Sequence, residues 1–294
     1  MAQQPQHHQP FSHHIIAGAI AGTSEILVMY PLDVVKTRAQ LSTGTAKALP
    51  IFGTMKSIVK EHGIGRLYRG ILPPILMEAP KRAVKFSSNE TYKGWFSRNG
   101  KLYQSGAIAS GMMAGVTEAF VVVPFELVKI RLQAKENAGL YLNTADAIKK
   151  IMKNEGPLAF YKGLESTIWR NAWWNGGYFG LIYYLKNTAL PKANNETQEF
   201  FRNFISGAAA GTFGTMLNTP SDVVKTRIQN QYATLKPGDV PKYNWTYPSM
   251  ALIYKEEGVK ALYKGFWPKV LRLGPGGGIL LVVFDYVTNF LKEH

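Results

Sequence analysis

A ten-residue pattern occurs three times in this chain, and each copy sets a charged pair beside a proline. The copies are Pro31-Leu32-Asp33-Val34-Val35-Lys36-Thr37-Arg38-Ala39-Gln40, Pro124-Phe125-Glu126-Leu127-Val128-Lys129-Ile130-Arg131-Leu132-Gln133 and Pro220-Ser221-Asp222-Val223-Val224-Lys225-Thr226-Arg227-Ile228-Gln229, with prolines 93 and 96 residues apart. A second motif follows each: Tyr68-Arg69-Gly70, Tyr161-Lys162-Gly163 and Tyr263-Lys264-Gly265, 39 residues after the first two prolines and 45 after the third. The extra residues of the third copy fall in the polar stretch 231–244, where a loop absorbs them. Gly63, Gly156 and Gly258 stand at one spacing ahead of the three later glycines. Two motifs in one order, three times over, make this a triplicated unit. A length of 294 residues would otherwise suggest one or two globular domains.

Each copy runs the same course. A long helical segment rich in small residues leads into the proline motif (13–41, 102–134, 201–230). A short amphipathic segment follows, as at 144–152, and a second long segment comes after the glycine (71–96, 164–187, 266–291). Helices of about 25–30 residues extend roughly 40 Å, enough to cross a bilayer with tilt. The pairs Gly18/Gly22, Gly111/Gly115 and Gly207/Gly211 have the small-xxx-small spacing of close helix packing, in a membrane or in a tight soluble bundle. The expected architecture is all-α: six transmembrane helices in three repeats with pseudo-threefold symmetry and short connecting helices. The repeats occupy 13–98, 102–190 and 200–292 behind a disordered Gln- and His-rich tail at 1–12. No apolar run of about 20 residues is uninterrupted, so hydropathy alone would miss spans that the repeat supplies.

Counted from each proline, the acid, the lysine and the glutamine fall within about 60° of one another on a helix. They form one polar stripe, while the arginine between the lysine and the glutamine points elsewhere, towards lipid headgroups by snorkelling. An acid within a bilayer is costly unless it faces a protein interior and is paired. Asp33, Glu126 and Asp222 with Lys36, Lys129 and Lys225 can therefore close a ring of ion pairs around a threefold axis. Gln40, Gln133 and Gln229 stand one turn away as braces, and each proline bends its helix towards the ring.

This triplicated Px[DE]xx[KR]x[KR]xQ, with its aromatic-basic-Gly companion, resembles the mitochondrial carrier family over residues 13–290. The resemblance implies a multi-pass protein of the mitochondrial inner membrane with six helices around a central cavity. It makes the six charged residues and three glutamines a matrix-side gate. It also implies a cytosolic-side network on the even helices, and here this chain departs from the pattern. Only the first copy, with Glu90 and Lys93, keeps both charges. The second copy keeps Lys186 and the third Asp285, so at most two bridges form, Glu90–Lys186 and Lys93–Asp285. Gly70, Gly163 and Gly265 precede helix starts whose free N–H groups bind phosphate. The resemblance implies cardiolipin there, and a plain turn glycine is the alternative.

Seven residues beyond those glycines stand Met77, Arg170 and Arg272, at the family's substrate contact points. Two arginines in a low-dielectric cavity call for anions, and their forked donors suit carboxylates. Lys81 and Lys85 share a helix face with Met77 and point inward. Asn171 beside Arg170 resembles the keto-acid and carboxylate carriers, its amide donating to a keto oxygen. Trp174, one turn on, either walls the site or anchors the helix at an interface. The alternative for some of these cations is structural pairing with Glu25, Glu78 or Glu118. The segments around Glu78–Phe86 and Gly163–Gly180 resemble the oxodicarboxylate-exchanging members, implying antiport of 2-oxoadipate and 2-oxoglutarate by alternating access. Citrate is the near alternative and would need more positive charge at the Asn171 position.

A net charge of +15 also raises nucleic-acid binding, but the basic residues recur at fixed repeat positions beside acids rather than on one face. With no cysteine, there is neither a disulfide framework nor a thiolate metal site. No metal-ligand spacing, nucleophile elbow or phosphate loop points to an enzyme. Gly274-Pro275-Gly276-Gly277-Gly278 falls inside the sixth long segment. The expected partners are small dicarboxylate anions and membrane lipid, with no cofactor and no nucleic acid, in a monomer.

Overall fold

The computed structural model describes residues 11–43, 50–98, 101–102, 104–185, 189–191, 195–235 and 239–293. Six long helices carry the architecture: α1 (Phe11–Leu41), α3 (Leu72–Phe96), α4 (Gln104–Gln133), α6 (Leu164–Tyr184), α7 (Glu196–Gln231) and α10 (Phe266–Glu293). Between the members of each pair lies a twelve-residue helix, α2 (Ile51–His62), α5 (Thr144–Glu155) or α8 (Thr246–Glu257). A short turn follows each: 3-10 helices at Ile64–Tyr68 and Pro157–Tyr161, and α9 (Val259–Leu262). Ser97–Arg98 and Lys101–Leu102 pair as a minimal antiparallel ladder between α3 and α4.

The long helices pack in the cyclic order α1, α3, α4, α6, α7, α10 and back to α1, which closes a barrel. The ends of α1, α4 and α7 also meet one another, so the barrel narrows at the end where the short helices lie. Three helices are apolar and long enough to span a membrane by composition, within His13–Leu41, Ala109–Gln133 and Val259–Leu291. Among the described residues α3, α6 and α7 fall below that standard, although they hold equivalent places in the barrel.

Each repeat has its own hydrophobic core under the short helix. Val34, Val35 and Ile58 in the first repeat correspond to Leu127, Val128 and Ile151 in the second and Val223, Val224 and Ile253 in the third. The short helices form because apolar residues one turn apart, such as Ala147 and Ile151, face that core. The Asn143 side chain caps α5 by accepting from the Asp146 N–H at 2.9 Å.

The structure corrects three expectations. Helix α1 already runs at Phe11, inside the stretch read as a disordered tail. Residues 1–10 lie outside the described ones. The second basic residue of the motif does not snorkel in the second and third repeats. Arg131 and Arg227 are buried and grip Glu155 and Glu257 with both terminal nitrogens, because a forked guanidinium finds a better partner there than in lipid.

The paired glycines, finally, are not the sites of closest helix approach. A Cβ at Gly111 or Gly207 would meet open space, and Gly22 makes room for the Glu78 carboxylate. The tight crossing lies between α6 and α7, where a Cβ on Gly177 would stand 3.1 Å from the Gly214 Cα.

At the narrow end, Gly70, Gly163 and Gly265 adopt left-handed φ of +78°, +82° and +83°. Each lies against the charged turn of the next repeat: Gly70 by Lys129 and Leu132, Gly163 by Gln229, Gly265 by Lys36 and Gln40. A Cβ at Gly265 would sit 3.1 Å from the Lys36 carbonyl oxygen. Gly265→Ala is therefore expected to lower stability by at least about 1–2 kcal/mol, the cost of a left-handed side-chain-bearing residue. A thermal-unfolding midpoint equal to the parent's would contradict that.

Candidate functional site

Where α1, α4 and α7 converge, the three motif acids and three motif lysines form a closed ring. Lys36 Nζ lies 2.7 Å from Asp222, Lys129 Nζ 2.7 Å from Asp33, and Lys225 pairs with Glu126. Every pair joins two different repeats, as the polar stripe requires. The ring is largely dry: Asp33 and Asp222 are buried, Lys225 is buried with them, and Lys36 and Lys129 keep modest access.

The glutamines behave unequally. Gln40 donates from Nε2 to Asp222 at 2.9 Å and accepts from Thr226, so it braces the ring. Gln133 accepts from Thr37 at 2.7 Å and does not reach an acid. Neither polar side-chain atom of Gln229 finds a partner among the described residues. The position that holds Thr37 in the first repeat and Thr226 in the third is Ile130 in the second, which offers no hydroxyl. The expectation of three braces is corrected to one.

A second tier of cations from the even helices presses on the same acids. Arg170 on α6 donates to Glu126 at 3.1 Å and lies 3.6 Å from Asp222. Arg272 on α10 reaches Asp33 at 2.6 Å and holds Glu25 with its remaining fork. Lys269, also on α10, lies 3.3 Å from Asp222 and 2.6 Å from the Asn218 amide oxygen. Each ring acid thus serves one lysine from α1, α4 or α7 and at least one cation from α6 or α10.

Above the ring opens a cavity of about 240 Å³ lined by Lys36, Lys85, Glu118, Arg170, Asn171, Trp174, Asn175, Asn218, Asp222 and Lys269. Of the expected substrate residues, Lys85, Arg170, Asn171 and Trp174 come together there. Lys85 pairs with Glu118 at 3.2 Å, and Trp174 stacks on Tyr178. Asn171 accepts from Arg170 and donates to the Gly115 carbonyl, which leaves one amide hydrogen for another acceptor. Lys81 is drawn to Glu78 on its own helix together with Arg82, and Arg272 to Glu25 and Asp33; neither lines this cavity. Lys269 and Asn218 were missed because their repeat equivalents carry no charge or amide: Pro74 and Thr167 for the lysine, Met29 and Val122 for the asparagine. Departure from the repeat is the sequence signal that marks them.

At the opposite end, the expected Lys93–Asp285 bridge does not form among the described residues. Lys93 pairs with Glu90 one turn away on α3 at 2.7 Å, and Asp285 is exposed. Lys186 lies outside the described residues. A partner three residues away on the same helix outcompetes one across a wide barrel mouth.

The model of the family described as Mitochondrial carrier protein matches residues 7–100, 101–193 and 196–294. This chain belongs to that family. Among the carrier's relatives is the probable mitochondrial 2-oxodicarboxylate carrier of Dictyostelium discoideum, 58% identical across 98% of this chain and 93% of that protein. The mitochondrial citrate transporter D of Aspergillus niger is also 58% identical, across 97% and 95%. The human mitochondrial 2-oxodicarboxylate carrier is 42% identical, across 96% and 95%.

Two outcomes follow for the carrier's ring. Asp222→Asn strands Lys36, Lys269 and part of Arg170, whereas Lys36→Gln leaves Asp222 with Lys269 and Gln40. The acid variant is expected to lose about 3–5 kcal/mol, the cost of unpairing buried charge, and the lysine variant clearly less. Likewise Gln40→Leu should destabilise, while Gln229→Leu should be neutral or stabilising, since it removes an amide that has no partner. Ranking the thermal midpoints of the four purified variants checks both.

Proposed function

We propose that the carrier exchanges 2-oxodicarboxylates, 2-oxoadipate and 2-oxoglutarate, across the mitochondrial inner membrane by alternating access, as a monomer. The observation that carries this reading is a charge surplus around the ring and the cavity. Lys36, Lys129, Lys225, Lys85, Arg170, Lys269 and Arg272 face Asp33, Glu126, Asp222, Glu25 and Glu118. With all of them ionised, two positive charges are left over, which a dianion would neutralise. The names of the relatives from Dictyostelium and human agree with such a substrate.

The geometry also supports a way to couple binding to opening. The ring acids hold Arg170 and Lys269 while also holding the motif lysines. A dicarboxylate in the cavity competes for these even-helix cations. Once they turn to the substrate, Glu126 and Asp222 each keep one cation, the motif lysine, and the gate is weaker. The anion thereby binds the occluded state more strongly than the closed one, the differential that any ligand-driven shift requires. The spare amide hydrogen of Asn171 suits the 2-keto oxygen. The other end, where Glu90 pairs within its own helix, offers little resistance to opening. The αL glycines beside the grooves between repeats, such as that formed by Pro50, Thr54 and Gly265, support cardiolipin as the bound lipid.

Citrate is the second reading. Glu78 with Lys81 and Arg82 adds one more net positive charge on α3, and Lys269 supplies cationic charge that a tricarboxylate needs. Uptake into liposomes preloaded with 2-oxoglutarate separates the two. The expected result is exchange of 2-oxoadipate and 2-oxoglutarate, reduced at least about tenfold by Arg170→Ala and by Lys269→Gln, the loss of one charge-assisted contact. Citrate uptake without oxodicarboxylate uptake would make the second reading the right one; normal exchange in both variants would remove this cavity as the site.

A further inference from the structure

The three repeats differ at one structural position on the face where the short helices lie. In the second repeat, Arg131 and Lys162 both hold Glu155, the last residue of α5. In the third, Arg227 and Lys264 both hold Glu257, the last residue of α8. Burial opposes the charge of each carboxyl, yet the cations bonded to it keep it below the ordinary carboxylate range. The Nε of each arginine then donates to the carbonyl of a motif glutamine in the following repeat, Arg131 to Gln229 and Arg227 to Gln40, both at 3.1 Å. These cation–acid–cation units fasten a long helix to its short helix and to its neighbour.

The first repeat has the cations but not the acid. Arg38 and Arg69 occupy the equivalent positions, and the last residue of α2 is His62. His62 is exposed and its Nε2 lies 3.8 Å from Glu61, which is itself hydrogen-bonded to Ser57. The Nε and one terminal nitrogen of Arg38 are buried with no hydrogen-bond partner among the described residues, and so is the Nε of Arg69, whose Nη2 donates to the Tyr141 carbonyl. Glu61 and Glu136 attract Arg38 through space without bonding those nitrogens. The adjoining segment 44–49 contains no acid. A third arginine, Arg66, replaces the alanines Ala159 and Ala261 of the other repeats. Burial together with the neighbouring Arg69 and Arg38 pushes Arg66 down to about 10. Leaving buried guanidinium nitrogens unbonded costs free energy that an oxyanion would recover.

We propose that the first repeat binds a phosphate group at Arg38, Arg66 and Arg69, in the role that Glu155 and Glu257 fill in the other repeats. The phosphate comes either from solution or from a lipid headgroup. The site is separate from the central cavity, and its occupant fastens α1 to α2 rather than being transported.

The test uses the full-length carrier purified in detergent, with its unfolding midpoint followed against inorganic phosphate at constant ionic strength set by chloride. Phosphate is expected to raise the midpoint by about 2–4 °C, the scale set by ligand linkage for a chain this long. His62→Glu restores the internal acid and should raise the midpoint without phosphate and abolish the response. Arg66→Ala should require at least about tenfold more phosphate, the loss of one charge-assisted contact. Arg170→Ala should keep the full response, which distinguishes this site from the cavity. If detergent-purified protein does not respond, the comparison is repeated in phosphatidylcholine vesicles with and without an anionic phospholipid. Stabilisation by that lipid, lost in His62→Glu, assigns the phosphate to a headgroup. No response to either source, or a response that survives His62→Glu, overturns the proposal.

Discussion

The architecture depends on holding six charges, three of them buried, at the convergence of three helices. No single repeat can do this, since each supplies one acid and one lysine on the same face of a helix, and the lysine pairs with the acid of another repeat. Closure is therefore a property of the trio. Buried ion pairs are weak sources of net stability but strong penalties when broken. Such a ring favours a fully closed arrangement over a partly open one, which is what a gate needs: two well-separated states rather than a continuum. In the second tier Arg170 and Lys269 turn the same chemistry into a sensor, because these cations line the cavity and answer to any anion that enters beside them.

Legibility from the sequence followed the repeat. The six long helices, the ring and its pairing partners could be read because each feature occurs three times and a chance match does not. Features present in one repeat were hidden by the same logic. Lys269 and Asn218 have uncharged equivalents at every corresponding position, so triplicate reading passed over them. The direction of Arg131 and Arg227 was misjudged because helical periodicity places a side chain around its own axis but does not reveal what stands opposite. Glu155 and Glu257 stand opposite, 24 and 30 residues further along the chain. Lys81 shares the inward face of α3 with Lys85, yet Glu78 three residues before it takes its ammonium at short range, and no face count decides between two partners.

The glycines illustrate a related limit. Spacing suggested that Gly18/Gly22 and their copies bring helix backbones together, but a missing Cβ can equally admit a side chain. At Gly22 it admits the carboxylate of Glu78, which could not otherwise lie between α1 and α3 with its two cations. The glycines of the aromatic-basic-Gly motif are needed for a different reason. Their left-handed backbone turns the chain into an even helix at the point where the charged turn of the next repeat leaves no room for a Cβ. Motif and ring are therefore one structure seen from two sides: the glycine of one repeat packs against the lysine and glutamine of another.

Symmetry and departure from it divide the labour in this chain. Positions that agree in all three repeats build the barrel and its closure, because a threefold ring has no use for three different residues. A small asymmetric anion does, since its two carboxylates and its keto oxygen need different partners. Within the cavity the triplicated Lys36 meets Arg170 with Asn171 and Lys269 with Asn218, four residues whose types do not recur in all three repeats. The argument extends to the outer face, where His62 breaks a unit kept intact at Glu155 and Glu257. A repeat protein that relaxes one copy of a buried ion-pair unit either loses stability there or gains a ligand. Arg66, added beside arginines that have unbonded nitrogens, makes the second outcome the coherent one, since a third cation adds repulsion that an anion relieves.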